Sequence, residues 1–325
     1  MSFEAFEPGY KVAVVGSGAV GCYYGAMLAR HGGDVHFLMR RDLDAVKREG
    51  LRILSPGGDF HLAQVNAAAS TAEIGPCDLV LIALKTTANG ALEQLIPPLL
   101  KENTALLTLQ NGFGNEDFLA ERFGSERVMG GLCFVCLNRT APGLVEHYGY
   151  GALSIGEFGR APQPRTLQIV RDFKDTGIAT RAVENLATER WRKLVWNVPF
   201  NGLSIAGGGI TTDLILADHG LQTLCRHLME EVVEAAGREG HAIPREFIEE
   251  QVSRTFKMEA YKPSSLIDYL EGREVEVESI WGEPYRRGLA SGASVERLEM
   301  LYYLLRKLTV PRESRAKIGA QIGAK

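Results

Sequence analysis

Apolar residues fall in short unbroken runs in the first half of this chain and at helical spacing in the second. Lys11-Val-Ala-Val-Val15, Val35-His-Phe-Leu-Met39, Asp78-Leu-Val-Leu-Ile-Ala-Leu84 and Thr104-Ala-Leu-Leu-Thr-Leu-Gln110 are the clearest runs. Each is too short for a stable helix and bounded by turn residues, which predicts strands buried on both faces. Between them Val20 to Arg30 repeats apolar residues on one helical face and stops at Gly32-Gly33. Arg40, Arg41 and Asp42 lead into a helix ending at Gly50, and another helix before Thr104 is closed by Pro97-Pro98. Strand alternating with helix in this way predicts an α/β fold with a doubly wound parallel sheet.

Shorter β segments are expected at Leu51–Leu54 and Phe60–Val65, parted by Ser55-Pro-Gly-Gly-Asp59. Glycine-punctuated segments at Val128–Asn138, Leu144–Tyr148 and Ala152–Gly156 predict antiparallel strands that extend the sheet. A helix over Arg165–Lys174 and a strand over Ile178–Val183 complete the unit. After Glu184 the β pattern ends, and helical spacing continues through breaks at Gly207-Gly-Gly209, Pro244, Pro263 and Gly282–Pro284. Two domains follow, residues 1–184 and an all-helical domain over 185–325.

Composition narrows the function classes. The chain has 325 residues, 45% hydrophobic and 23% charged, enough for a substantial core. A net charge of −4 gives no reason to expect nucleic acid as a partner. No apolar run approaches the ~20 residues needed to span a bilayer, and no secretory pattern opens the chain. The expectation is a soluble cytoplasmic protein without a membrane partner. Five scattered cysteines do not suggest a disulfide framework, and Cys133-Phe-Val-Cys136 reads as two buried, inert thiols on a strand. The seven histidines lack metal spacing, so no metal site is expected; His147 and His241 read as surface or satisfied residues, and Glu230-Glu231-x-x-Glu234 as a solvated helix face.

The strand ends carry the chemistry. Gly16-Ser17-Gly18-Ala19-Val20-Gly21 follows the first strand and opens a helix. In that context the first glycine allows a tight turn, the second lets backbone approach a pyrophosphate, and the third lets helix and strand pack closely. The result is a Rossmann-like dinucleotide site. At the end of the second strand a carboxylate would select NAD, yet Arg40 and Arg41 stand there, and guanidinium groups suit a 2′-phosphate. NADPH/NADP is therefore the expected cofactor, although Asp42 follows directly. Lys85 and Asn111 end two further strands and face the same crevice.

In the second half, Trp191-Arg-Lys-Leu-Val-Trp-Asn-Val-Pro-Phe-Asn201 places Lys193, Asn197 and Asn201 four residues apart. They drift only ~80° around a helix. Apolar residues cover most other directions, so the helix reads as buried, with Pro199 freeing the carbonyl of Val195. Spacing alone leaves two readings open: a polar site, or a solvent stripe in which the Lys193 stem lies along apolar surface.

The glycine loop, Leu84-Lys85-Thr86, Leu109-Gln-Asn-Gly112, the Trp191–Asn201 string, Ser264-Ser-Leu-Ile-Asp268 and Glu276-Val-Glu278 together resemble the ketopantoate reductase family (2-dehydropantoate 2-reductases) over about residues 11 to 310. The resemblance implies a dinucleotide-binding domain, a helical domain, and NADPH-dependent reduction of 2-dehydropantoate to (R)-pantoate in pantothenate biosynthesis. It implies that Lys193 is the catalytic proton donor and that Glu276 supports it. It further implies that Asn197 and Asn201 bind the substrate's hydroxyl end, Ser264 its carboxylate, and Asn111 a place beside the nicotinamide, with Lys85 the second active-site lysine. The chain departs from the family pattern after Asn201, at Ile267 where glutamine is usual, and at Glu278-Ser279 where Asp-Tyr is usual. A small 2-keto acid is the expected partner. A different 2-keto acid, or a non-catalytic NADP(H)-sensing role, are the alternatives. Oligomeric state stays open, a homodimer being one option.

Overall fold

The computed structural model describes residues 4–310 of the chain. The strands are β1 (Lys11–Val15), β2 (Asp34–Leu38), β3 (Leu51–Leu54), β4 (Phe60–Leu62), β5 (Asn66–Ala68), β6 (Leu79–Ile82), β7 (Ala105–Thr108), β8 (Val128–Ala141), β9 (Leu144–Glu157) and β10 (Thr180–Ala182). They form one sheet in the order β4-β3-β9-β8-β7-β6-β1-β2-β5, with β10 beside β9. β1 runs parallel to β2 on one side and to β6 on the other, so the chain reverses its direction of winding at β1. That reversal is where an open α/β sheet leaves a crevice at its carboxyl ends.

Continuous apolar runs were expected because both faces of the central strands are covered, and alternate residues do enter two cores. Val12, Val14, Leu79, Leu81 and Leu107 pack into one with Tyr24, Phe37 and Phe173. Ala13, Val15, Val80, Ile82 and Leu106 pack into the other with Leu92, Ile96 and Leu119. The helices of this unit are α1 (Ala19–Arg30), α2 (Leu43–Glu49), α3 (Thr71–Ile74), α4 (Leu92–Leu95), α5 (Asn115–Phe123) and α6 (Pro164–Asp175).

Within this unit four local expectations differ from the structure. β5 was not foreseen, because Asn66-Ala-Ala68 has no β-branched or aromatic residue, and its pairing with β2 decides it. The single helix expected before Pro97 is broken into 3₁₀ turns at Thr86–Ala91 and Pro97–Leu99 around the four-residue α4. The two strands expected over 144–156 are one, β9, in which Gly151 at φ 118° is an extra residue opposite the Phe134/Val135 step. Cys133 and Cys136 lie on β8 as expected but are half-buried, since β8 and β9, 14 residues each, outrun the four-residue β7 and β3 beside them.

A buried ion pair ties this unit together. Glu157, fully buried at the end of β9, accepts from Arg165 Nε at 3.0 Å and Nη2 at 2.6 Å, and from Thr166 Oγ1 at 2.6 Å. Arg165 also donates to the carbonyl of Glu126 at 2.7 Å. The first turn of α6 is thus fixed to β9 by charge-assisted bonds.

The compact units divide between Ala187 and Thr188, just inside α7 (Leu186–Ala206). The remaining helices are α8 (Thr212–Ala217), α9 (His219–Arg238), α10 (Glu246–Phe256), α11 (Ser264–Leu270), α12 (Glu283–Ala290) and α13 (Glu296–Leu308), with one π-helical turn at Glu278–Gly282. Trp281 is fully buried and donates from Nε1 to the carbonyl of Val198 at 2.9 Å, joining the π turn to α7. Glu231 corrects the expected solvated face: it is buried and accepts from the backbone N–H groups of Arg297 and Leu298, capping α13. His147 and His241 pair with Ser55 and Thr188, each at 2.9 Å. Among the described residues no helix is long and apolar enough to cross a membrane.

Removing one partner of a buried ion pair leaves the other charge uncompensated, at a cost of about 3–5 kcal/mol. Arg165→Met is therefore expected to lower the unfolding free energy in urea by that amount without changing the slope, and Glu157→Gln in the same background should recover part of it.

Candidate active site

The glycine loop shows why each glycine is needed. Gly16 sits at φ 107°, and a Cβ there would lie 2.3 Å from the backbone nitrogen of Leu84. A Cβ on Gly21 would lie 2.2 Å from the carbonyl oxygen of Gly16. These two glycines let β1, α1 and the end of β6 touch through backbone. Gly18 differs: its backbone is extended, it is exposed, and a Cβ there would meet no protein atom within 4 Å. It precedes α1 with no side chain capping the helix, so the N-terminal N–H groups face open space suited to an anion. The cradle fits a dinucleotide pyrophosphate, with Ala19 and Val20 forming the first turn of α1.

Ser17 is turned inward. Its hydroxyl donates to the carbonyl of Leu38 at 2.7 Å, pinning the loop to the end of β2. Behind it Cys22 Sγ donates to the Ser17 carbonyl, and burial pushes this thiol up to about 12, so it stays neutral. Beyond β2, Arg40 and Arg41 are exposed and join no ion pair among the described residues. Asp42 is otherwise engaged: it accepts from Arg139 Nη1 at 2.6 Å and from the backbone N–H of Gly143 at 3.3 Å.

An amide relay holds the ends of β6 and β7. Gln110 donates to the carbonyl of Leu84 at 2.9 Å and to Asn89 Oδ1 at 2.7 Å, and accepts from Thr108 Oγ1 at 2.9 Å. Asn89 donates onward to Asn115 Oδ1, and Asn115 donates to the carbonyl of Asn111 at 2.9 Å. Lys85 and Asn111, both half-buried, are thereby carried on loops tied to each other beside the glycine loop. Gln110, Asn89 and Asn115 were not foreseen. Only Asn115 offered a signal, standing one helical turn after Asn111.

In the second unit the stripe on α7 divides by use. Lys193 is half-buried. Asn201, 1% exposed, donates to the carbonyl of Asn197 at 3.1 Å and accepts from the N–H of Ser265 at 2.9 Å, fixing the start of α11 and with it the exposed Ser264. Asn197 is 9% exposed, yet its side-chain amide has no hydrogen-bond partner among the described residues. Its amide atoms are not among those sealed from solvent without a partner, so a ligand or water can reach and satisfy them. Glu276 is half-buried on the loop entering the π turn, which Trp281 joins to α7. The helix continues through Pro199 without interruption. Among the described residues no group of three or more His, Cys, Asp or Glu side chains is placed to hold a metal ion.

A glycine cradle and a Lys/Asn helix within one chain make a comparison with known proteins decisive. The profile of ketopantoate reductase PanE/ApbA matches residues 12–160, and that of its C-terminal domain matches residues 185–309. The chain belongs to the ketopantoate reductase family. A 2-dehydropantoate 2-reductase of Nostoc sp. is 41% identical over 303 residues, covering 92% of this chain and 95% of the relative. The crystal structure of 2-dehydropantoate 2-reductase from Geobacter metallireducens matches with a TM-score of 0.89 at 44% identity, covering 91% of this chain and 99% of that one. The Methylococcus capsulatus structure of the same name matches with a TM-score of 0.86 at 34% identity, over 92% and 96% of the two chains. As a family member the protein is a nicotinamide dinucleotide-dependent oxidoreductase.

The two kinds of loop glycine separate folding from binding. Gly18→Ala should melt within about 0.5 kcal/mol of the parent, since its φ and surroundings tolerate a methyl group, but bind dinucleotide at least about tenfold more weakly. Gly16→Ala should lose about 2 kcal/mol or more of stability, from a left-handed φ and a backbone clash together. Thermal melts and cofactor titration of both variants check this contrast.

Proposed function

We propose that this ketopantoate reductase family member reduces 2-dehydropantoate to (R)-pantoate with NADPH, as a cytoplasmic step of pantothenate biosynthesis. The unspent amide of Asn197, one turn from Lys193 on a largely buried helix, is the observation that carries the reading. A polar site is supported over a solvent stripe because Asn197 is only 9% exposed as a residue, whereas a helix face meant for water would stand open. Arg40 and Arg41, exposed at the end of β2, favour the 2′-phosphate of NADPH over the bare ribose of NADH.

A reduced nicotinamide supplies the hydride. Lys193 stabilises the negative charge growing on the keto oxygen and donates the proton that completes the alcohol. Glu276 orients and supports that ammonium. Ser264, held by the Asn201–Ser265 bond at the head of α11, receives the substrate carboxylate. Asn197 binds the hydroxyl of the substrate tail, and its burial makes the site reject keto acids that lack one. Asn111 and Lys85, on the tied loops after β7 and β6, line the nicotinamide side. Ile267, lying three residues after Ser264 where the family usually has glutamine, supports a second reading in which another branched 2-keto acid is preferred.

Consumption of NADPH across a keto-acid panel tests the reading. The expected result is that ketopantoate gives the highest kcat/KM; no turnover with any 2-keto acid would favour a binding-only role. Lys193→Ala should cut kcat by about 10²–10⁴-fold, the range for loss of a general acid, while NADPH affinity is kept. An unchanged rate removes Lys193 from the chemistry.

The two asparagines should separate in kinetics. Asn197→Ala is expected to raise KM for ketopantoate by about tenfold or more, with little effect on a keto acid lacking the hydroxyl. Asn201→Ala should raise KM for both, because it acts through the seat of α11. Equal behaviour of the two variants would refute this division of labour.

A further inference from the structure

Resting on the NADPH reading above, we propose that Arg139 determines cofactor specificity by sequestering the Asp42 carboxylate. Asp42 directly follows Arg40 and Arg41, which stand past the end of the second strand where a dinucleotide-binding domain that prefers NADH carries its acidic residue. A carboxylate there would bind a ribose 2′-hydroxyl and repel a 2′-phosphate, which carries close to two negative charges. In this protein the Asp42 carboxylate follows that position in the chain but is otherwise occupied. Its Oδ2 accepts from Arg139 Nη1 at 2.6 Å and from Gly143 N–H at 3.3 Å, and its side chain is only 12% exposed. It does not cap α2, although it occupies the N-cap position.

The clamp is built from the hairpin and not from the cofactor loop. Arg139 lies near the end of β8, where the ladder to β9 shifts register between Arg139 and Ala141. Gly143 lies in the turn between the strands at φ 66°, and a Cβ there would lie 2.9 Å from the carbonyl oxygen of Gly50, so the turn sits against the end of α2. The carbonyl of Gly143 accepts from Arg52 N–H at 2.8 Å, which fixes the tip from its other side. Arg139 and Asp42 together are neutral, so Arg40 and Arg41 meet a 2′-phosphate without an opposing charge. Arg139 is therefore a positioning residue: it acts on the cofactor through Asp42.

Dissociation constants for NADPH and NADH in four proteins test this: the parent, Arg139→Ala, Asp42→Asn, and the double variant. Arg139→Ala should weaken NADPH about tenfold through the released charge while NADH changes by about twofold or less. Asp42→Asn alone should keep or raise the preference for NADPH, because it leaves the Arg139 charge uncancelled. The double variant should regain the parent's ratio. Retained NADH binding serves as the folding control for each variant. Equal weakening of both cofactors by Arg139→Ala would overturn the proposal by making Arg139 a general scaffold. A double variant as weak for NADPH as Arg139→Ala would overturn it too, because Arg139 would then touch the phosphate itself. A parent protein that prefers NADH would overturn the cofactor reading and this inference with it, whereas a parent that prefers NADPH with an unmoved Arg139→Ala ratio would overturn this inference alone.

Discussion

Backbone meets backbone where β1, α1 and the end of β6 converge, and the dinucleotide half depends on that contact. Two hydrogen atoms in place of side chains, at Gly16 and Gly21, allow it. A methyl group at either would separate the strand end from the helix or from Leu84. The helix N-terminus would then no longer stand at the reversal of the sheet, where its N–H groups can meet an anion. Ser17 strengthens the same junction by spending its hydroxyl on Leu38, which makes the end of β2 part of the cradle. The loop is thus rigid before any cofactor arrives, and the arginines beyond β2 inherit that fixed origin.

The elements best read from the sequence are those whose environment is symmetrical. Val12 to Val15 and Leu79 to Ile82 are apolar at every position because both faces are covered, whereas a strand with one face in water would alternate with polar residues. Asn66-Ala-Ala68 became a strand only because β2 offered an edge, which local preference cannot reveal. The segment after Lys85 has helical spacing but breaks into short turns, where Asn89 enters the relay of Gln110 and Asn115. The candidate residues on α7 stand out as a set through their spacing of four. Their separate duties do not, because whether an amide binds a ligand or a backbone depends on what packs against it.

Charge shows the same dependence on partners far along the chain. Asp42 beside Arg40 and Arg41 is ambiguous in sequence, since the residue that engages it is 97 positions away. Glu231 sits in an acidic run that suggests water, yet it is buried against the first turn of α13. Glu157 and Arg165 are eight residues apart and entirely enclosed. In all three cases the carboxylate is satisfied by an arginine together with backbone N–H groups or a hydroxyl, the arrangement that makes burial of charge tolerable.

Amides divide along the same line, and the division bears on chemistry. Gln110, Asn115 and Asn201 each use both ends of the side chain within the fold, holding loop ends and the seat of α11. A group committed in that way cannot release its partners to a ligand without leaving backbone unsatisfied. Asn197 is also nearly buried, without such commitments. Folding spends no hydrogen bond on that amide, which is not sealed from solvent. A hydrogen-bonding ligand would supply one. A committed Asn201 one turn from an uncommitted Asn197 describes a helix whose seat is settled by folding and whose remaining amide is open to a ligand.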